Sequence, residues 1–290
     1  MSAAVATPAA IVLVIECQPR INWYALLEGA TLPDGRVIQV EQCTWAECLV
    51  TSFPDHCMCD LRRAQTPHAG TSQERNRTVR PAFVVFRSVN RGVGHMDDRN
   101  KVYALQHAGV PTLNSLASYF LCSERPWMFG ELKKLQRRLG GAEHFPLVEQ
   151  TFYSSSKAML FPPSFPLVIK IGPYHSGHGK MKVVNESAFD DLRSIVAMHD
   201  DYCSVEPFID WDFDLRIQKI GPHYRAFKRT NPNWKGNVGF QMRVEEIAVT
   251  EKYRRWVDEC AQLFGGLDIC ALDALHSKVR LPFIRPLCFL

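Results

Sequence analysis

No stretch of this sequence is long and apolar enough to cross a bilayer. Its longest apolar run, Ala9 to Ile15 (AAIVLVI), falls far short of the about 18 residues that a membrane helix needs. No basic segment precedes that run, as a signal peptide requires, so neither secretion by that route nor membrane integration is expected. An excess of one charge is also missing. With 34 Lys and Arg against 30 Asp and Glu, the net charge of +4 is too slight for a dedicated nucleic-acid binder, although it permits adhesion to an anionic membrane face. Internal repeats and low-complexity segments are absent, and the composition excludes disorder and coiled coil. The one clustered set of metal-ligating residue types, His56-Cys57-Met58-Cys59-Asp60, lacks paired CxxC spacing and has no second pair downstream, so no zinc site is expected there.

What is present is an ordinary globular composition: 46% hydrophobic, 22% charged, with 18 prolines and 17 glycines over 290 residues. That length implies about one to two domains with a large core. Of the ten cysteines, Cys17, Cys122, Cys203, Cys260 and Cys270 sit in apolar stretches and read as small buried hydrophobes in a reducing compartment.

The run Ile11–Ile15 is continuous and β-branched, which predicts a fully buried strand in a parallel sheet. Phe83–Phe86 predicts a second, followed by a helix from Lys101 closed at Gly109. Alternation of strand and helix implies an α/β unit. Residues 51–80 mix Pro, His, Arg, Thr and Ser without periodicity and read mostly as surface loop. From Ser123 a helix is expected with Trp127, Met128, Leu132, Leu135 and Leu139 on its apolar face, ending at Gly140-Gly141. Strands are expected at Pro166–Ile171, Cys203–Ile209, Leu215–Ile220, Tyr224–Arg229 and Leu267–Leu275. Helices are expected at Phe189–His199 and Glu251–Phe264.

Three glycine patterns compete for a phosphate-binding role. Gly92-Val93-Gly94 has Asp97 where a dinucleotide fingerprint needs its third glycine, and reads as a tight turn. Gly172 and Gly177 have Walker spacing, but His178 stands where the lysine belongs. The third pattern is a strand ending in Lys170, followed by His175-Ser176-Gly177-His178-Gly179-Lys180. Such a strand and loop can set a fixed positive charge beside backbone N–H groups that close over phosphate oxygens. A plain β-hairpin with solvated lysines fits those residues equally well. Downstream, Val205-Glu206-Pro207-Phe208-Ile209-Asp210 supplies an acidic hinge, and Asp214-Leu215-Arg216-Ile217 with Lys228-Arg229 adds cations on successive strands. Lysine, glycine loop, acidic hinge and cationic strands in this order are the layout of an ATP-grasp domain.

The runs PLVEQTFY, PLVIKIG, HSGHGKMKV, EPFID, DLRIQKIG, NWKGNVG and FGGLDICALDALH closely resemble the central domain of the synapsins, ATP-binding phosphoproteins of synaptic vesicles. The resemblance extends back through RPWMFGEL and AGVPTLNSL to the first strand. It implies a mixed α/β (α+β) fold, with a pre-ATP-grasp α/β domain at about 10–112 and an ATP-grasp domain at 113–290. It also implies, residue by residue, a nucleotide site. Arg125 stands where the family has a phosphate-contacting lysine, and Lys170 matches the strand lysine that touches the α- and β-phosphates. Ser176, Gly177, Gly179 and Lys180 match the phosphate-covering loop, Glu206 and Phe208 the adenine hinge, and Trp234, Lys235 and Asn237 a closing loop. Asp273 falls where some synapsins ligate calcium, while Asp268 reads as structural.

After His276 the sequence SKVRLPFIRPLCFL contains no acid, where the family continues with a second metal-ligating glutamate on a strand and then a helix. The expectation is an ATP-grasp domain incomplete at its C-terminus, binding ATP with weak Ca²⁺ or Mg²⁺ and without turnover. By the resemblance, the protein is a cytoplasmic, peripheral vesicle protein of the presynaptic terminal that regulates neurotransmitter release and forms homo-oligomers. Its expected partners are the vesicle membrane surface and the cytoskeleton. The alternatives are an ATP-grasp carboxylate–amine ligase and a truncated form that binds no nucleotide. The family's phosphorylated N-terminal segment and Pro-rich tails have no counterpart in these residues, so phospho-regulation is not carried over.

Overall fold

The computed structural model describes residues 9–17, 21–62, 76–92, 96–174, 177–199, 201–235, 242–277 and 283–284. The chain forms two compact units, and among the described residues the division falls between Phe120 and Leu121, with Gly92 grouped in the second unit.

In the first unit, β1 (Ala10–Glu16) lies between β2 (Ile38–Cys43) and a later strand, β6 (Phe83–Arg87), in a parallel sheet completed by β7 (Thr112–Leu113). Both faces of β1 are covered, which explains its uninterrupted apolar run. Leu13 and Ile15 point into a core with Val84, Phe86, Leu105, Leu116 and Tyr119. Val12 and Val14 pack on the opposite face with Val40, Val85 and the side chains of Trp23, Tyr24 and Leu27. Trp23 and Tyr24 belong to α1 (Trp23–Leu26), whose Asn22 N-cap accepts from Ala25 N–H. Leu105 belongs to α2 (Arg99–His107), which is followed by Gly109 at φ +63°, as its sequence implied.

Part of the stretch 51–80 that reads as loop is strand among the described residues, and residues 63–75 lie outside them. β3 (Cys48–Ser52), β4 (Cys57–Leu61) and β5 (Arg77–Val79) form a three-stranded antiparallel sheet. The alternation on β4 was carried by cysteine: Cys57, Cys59 and Leu61 point inward while Met58 and Asp60 are half-exposed. Read as hydrophobes, those thiols restore a period of two. Cysteine burial departs from expectation at one position, since Cys17 is exposed just beyond β1, whereas Cys122, Cys203, Cys260 and Cys270 are buried.

The division between the units falls within α3 (Leu116–Ser123), a helix that the sequence patterning missed. In α4 (Arg125–Arg138), Met128, Leu132 and Leu135 make the buried stripe, and Trp127, one position out of that stripe, is 61% exposed rather than core-facing. Two antiparallel sheets follow. The first, in the order β10-β9-β11-β8, comprises β8 (Thr151–Tyr153), β9 (Leu167–Ile171), β10 (Lys180–Val183) and β11 (Cys203–Pro207). It is backed by α5 (Glu186–His199), which starts where Asn185 Oδ1 accepts from Ala188 N–H.

The second sheet, in the order β14-β13-β12-β15-β16, contains β12 (Trp211–Ile220), β13 (His223–Thr230), β14 (Arg243–Ile247), β15 (Ile269–Ser277) and β16 (Phe283–Ile284). Its Leu215, Ile217, Leu272, Ala274 and Ile284 pack with Leu132 and Leu135 of α4 and with Trp256 and Cys260 of α6 (Glu251–Ala261). Thr250 Oγ1 caps α6 by accepting from Tyr253 N–H. Helix α6 ends before Phe264, because Gln262 leads into a 3-10 turn at Leu263–Gly265.

The expectation that no strand follows β15 is also corrected. Phe283–Ile284 pairs with Ala274–Leu275, and Ile284 is stitched on its other side by hydrogen bonds with Pro146 O and Val148 N. Two residues of strand are too few to leave a periodic signal.

Candidate functional site

Strand alternation sorts the β8–β11 sheet into two faces. Leu167, Ile169, Ile171, Val183, Cys203 and Val205 point into the core against Phe189 and Val196 of α5. By register, Lys170 lies opposite Lys180 on one side and Ser204 on the other, while Val168 lies opposite Lys182 and Glu206. The face away from the core therefore carries Lys170, Lys180, Lys182, Ser204 and Glu206 together. Three cations on one face are self-repulsive unless something negative or polarisable meets them.

Lys170 is met by a carboxylate. It is buried, and its Nζ lies 2.5 Å from Glu206 Oε2, which also accepts from Gln150 Nε2 at 3.0 Å. The other two lysines are met by aromatic rings. Lys182 Nζ stands 3.5 Å from the centroid of Phe208, and Lys180 Nζ stands 5.2 Å from Trp234. Phe208 and Trp234 meet edge to face, with centroids 6.1 Å apart, and Lys235 Nζ lies 5.6 Å from the same indole. Trp234 sits in a polar turn that follows β13, held by Asn233 N–H to Asn231 Oδ1 and Lys235 N–H to Asn233 Oδ1. Lysine-bearing strands and an aromatic loop that follows β13 thus meet in one cluster of the second unit.

The turn between β9 and β10 needs its glycines. Gly172 has φ +54°, and a Cβ there would fall on the Asp201 carboxylate. Gly179 has φ +61°, and a Cβ there would lie 2.8 Å from the Tyr174 ring and 2.9 Å from Ile171 O. Arg125, at the start of α4, donates to the Tyr174 carbonyl, which brings its guanidinium to the hairpin base.

On the second sheet, Asp214, Arg216, Arg229 and Asp273 come together across three strands. Arg229 lies 2.5 Å from Asp214 and 2.9 Å from Asp273, and Arg216 lies 3.2 Å from Asp273. Burial alone would lower the Arg229 pKa, but the charges of Asp273 and Asp214 outweigh it and hold it above its ordinary value. The four side chains are mutually neutral.

Residues 114–285 match the family described as "Synapsin, ATP binding domain", and residues 6–112 match "Synapsin pre-ATP-grasp domain". The chain belongs to the synapsin family. A synapsin of Drosophila melanogaster is 38% identical over 282 residues, covering 95% of this chain and 27% of the relative, so the chain spans about a quarter of that relative's length. Among solved structures, D-alanyl-alanine synthetase A from Vibrio cholerae matches with a TM-score of 0.67 at 12% identity, over 97% of this chain and 89% of its own. A RimK domain ATP-grasp protein from Sphaerobacter thermophilus matches with a TM-score of 0.61 at 13% identity, over 97% and 91%. Those likenesses establish the fold of this synapsin-family chain: a pre-ATP-grasp domain followed by an ATP-grasp domain. ATP-grasp proteins bind ATP together with divalent metal.

Of the candidate residues, Lys170 and Glu206 pair with each other, and Lys180, Phe208, Trp234 and Lys235 form the aromatic–cation cluster. Gly177 and Gly179 lie in the hairpin, and Arg125 bonds to it. Ser176 and Asn237, and most of the Gly92-Val93-Gly94 turn, lie outside the described residues. Asp273 stands apart from the lysines in register terms, on β15 between the two arginines. Two partners escaped the sequence reading. Lys182 shares its face with Lys170 and Lys180 by simple alternation, a signal present in KMKV, while Gln150 carried no signal.

The residues suit the two parts of a metal–nucleotide complex unequally. The lysine face and aromatic rings offer charge for phosphates and π surfaces for a base. For a divalent cation, oxygen donors are needed, and those of Asp214 and Asp273 already face guanidinium groups. Beside Asp273, β16 contributes Phe283 and Ile284, whose side chains carry no oxygen donor.

Proposed function

We propose that this chain is a synapsin-like ATP-binding protein that acts at the surface of synaptic vesicles in regulating neurotransmitter release and does not turn ATP over. The observation that carries the reading is the grouping of Lys170, Lys180 and Lys182 on one strand face with the rings of Phe208 and Trp234 against Lys182 and Lys180. The lysines receive the phosphates, Glu206 orients Lys170, the rings of Phe208 and Trp234 flank the base, and Arg125 supports the hairpin that covers the phosphates. Divalent cation contributes weakly, because binding at Asp273 requires displacing Arg216 and Arg229. Vesicle attachment and self-association rest on family membership, and no helix among the described residues is long and apolar enough to cross a membrane.

A second reading, a carboxylate–amine ligase, is favoured by the fold shared with D-alanyl-alanine synthetase A. Titration with a fluorescent ATP analogue, with and without Ca²⁺, on this chain and on Lys170→Ala, tests the first reading. Saturable binding that Lys170→Ala weakens at least tenfold supports it, and no saturable binding by the unmodified chain overturns it. Steady ADP release that Asp273→Ala abolishes would favour the ligase. Failure to co-sediment with purified synaptic vesicles would remove the vesicle role.

A further inference from the structure

Strand β2 is the outer strand of the parallel sheet and pairs there only with β1. The register fixes which of its backbone groups face outward. Val37 O accepts from Ala10 N–H, so Val37, Gln39 and Glu41 turn their backbone groups toward β1, while Ile38 and Val40 turn theirs away. Such outward groups are open to pairing. The segment after α1 covers the first of them, because Ile38 N–H donates to Ala30 O at 2.9 Å. The cover stops there. Among the described residues no backbone carbonyl meets Val40 N–H, and a cavity of about 350 Å³ is lined by Tyr24, Leu27, Ile38, Val40, Glu41 and Arg77.

The walls of this cavity differ in character. Tyr24, Leu27, Ile38 and Val40 belong to the apolar packing on one face of the sheet. Glu41 and Arg77 supply charge. Glu41 is 1% exposed, and its carboxylate is met by Arg77, whose Nη2 lies against Oε2, and by Gln39 Nε2 at 3.3 Å from Oε1. That pairing compensates the burial of the acid. It leaves the guanidinium incompletely used, because Arg77 Nε is buried and has no hydrogen-bond partner. A buried N–H donor on a charged group is costly to leave unmet, so the position calls for an acceptor. Glu28, which also lines the cavity, is exposed.

We propose that this cavity is a binding site for a small monocarboxylate with an aliphatic or aromatic body. Arg77 Nε receives the carboxylate, with Val40 N–H at the strand edge as the second donor, and the body of the ligand lies against Tyr24, Leu27 and Val40. A single negative charge suits the lining. A phosphate dianion would meet the carboxylates of Glu41 and Glu28 with one guanidinium between them, and an amine would be repelled by Arg77. The volume is at the small end for ligand cavities, which fits one ring or a short chain. All of these residues lie in the first unit, and none belongs to the cluster of lysines and aromatic rings in the second. A bound ligand would join α1 and the segment after it to the edge of β2, and so stabilise the first unit by mass action.

Titrating the full chain with phenylacetate, followed by proton–nitrogen correlation spectra, tests this. Phenethyl alcohol, phenethylamine and inorganic phosphate are the controls. Phenylacetate is expected to give saturable shifts at the amides of Tyr24, Leu27, Val40 and Arg77 and to raise the thermal midpoint. The alcohol is expected to bind about tenfold more weakly, and Arg77→Leu to weaken phenylacetate by about the same factor. If Arg77→Leu fails to fold, Glu41→Leu combined with Arg77→Leu, which removes both charges, serves instead. Leu27→Trp, which narrows the cavity and spares the ion pair, is also expected to weaken binding. The proposal is overturned if no saturable shifts arise at these positions, or if the alcohol or the amine binds as well as the acid. Tighter binding of phosphate, or phenylacetate binding that loss of the Arg77 guanidinium leaves intact, also overturns it.

Discussion

Lys170 Nζ and Glu206 Oε2 lie 2.5 Å apart on neighbouring strands, and both side chains are less than one-tenth exposed. A buried pair of this kind owes its stability to both members being present, since either alone is an uncompensated charge in a low dielectric.

Replacing one member is therefore expected to cost more than replacing both. Glu206→Ala should destabilise the second unit by about 3 to 5 kcal/mol, whereas Lys170→Met with Glu206→Leu should recover most of that loss. Urea unfolding of the single and double variants measures the difference. Equal losses in all of them would show that the pair makes no coupled contribution.

Trp234 is expected to report nucleotide directly. Its indole touches Phe208 and lies within reach of Lys180 and Lys235, so phosphates that draw those lysines away change its surroundings. ATP should alter the intrinsic fluorescence of the unmodified chain and leave that of Trp234→Phe nearly unchanged. Trp234→Ala should weaken affinity by about 1 kcal/mol, the worth of a cation–π or ring contact at a half-exposed site.

Asp273→Ala removes one acid from a network of two carboxylates and two guanidiniums, so that Arg229 keeps Asp214 while Arg229 and Arg216 both lose their contact with Asp273. A loss of about 3 kcal/mol is expected by denaturant unfolding, with little change in the Ca²⁺ dependence of ATP binding. Loss of Ca²⁺ dependence without loss of stability would instead make Asp273 a metal ligand.

Tyr119 contributes an alkaline pH dependence to the first unit. Burial raises its phenol pKa above the ordinary 10.0, and its hydroxyl donates to Ser88 O at 2.7 Å. The folded state therefore keeps the proton that the unfolded chain begins to release near pH 10. The stability tied to this group is complete below that pH and falls as pH rises further. Tyr119→Phe should flatten the alkaline decline in thermal midpoint between about pH 10 and 11. An unchanged slope would assign the decline to other groups.

Much of this architecture was written in side-chain pattern. Ile11–Ile15 announced a doubly covered strand because every residue in it is apolar, and α6 announced itself through Trp256, Val257 and Cys260 at helical spacing. The β3–β5 sheet stayed hidden because Cys57 and Cys59 bear its inward alternation, and thiols do not stand out as hydrophobes. The Lys170 strand and its glycine hairpin could be read locally. The pairing of Asp273 with Arg216 and Arg229 depends on the register of three strands, which no local spacing encodes. The edge position of Trp127 follows from a single step of helical rotation, smaller than the error with which apolar stripes are drawn.

The aromatic contacts of Lys180 and Lys182 set what phosphate binding can gain. Their ammonium groups are berthed on π faces rather than left in water. A nucleotide must then lure them from one attractive neighbour to another. The net gain on capture is smaller than a count of lysines suggests, and it shrinks further as salt screens the phosphate while leaving the rings almost untouched. Such a site would release a nucleotide readily when the ionic surroundings change, a property of exchange rather than of tight storage.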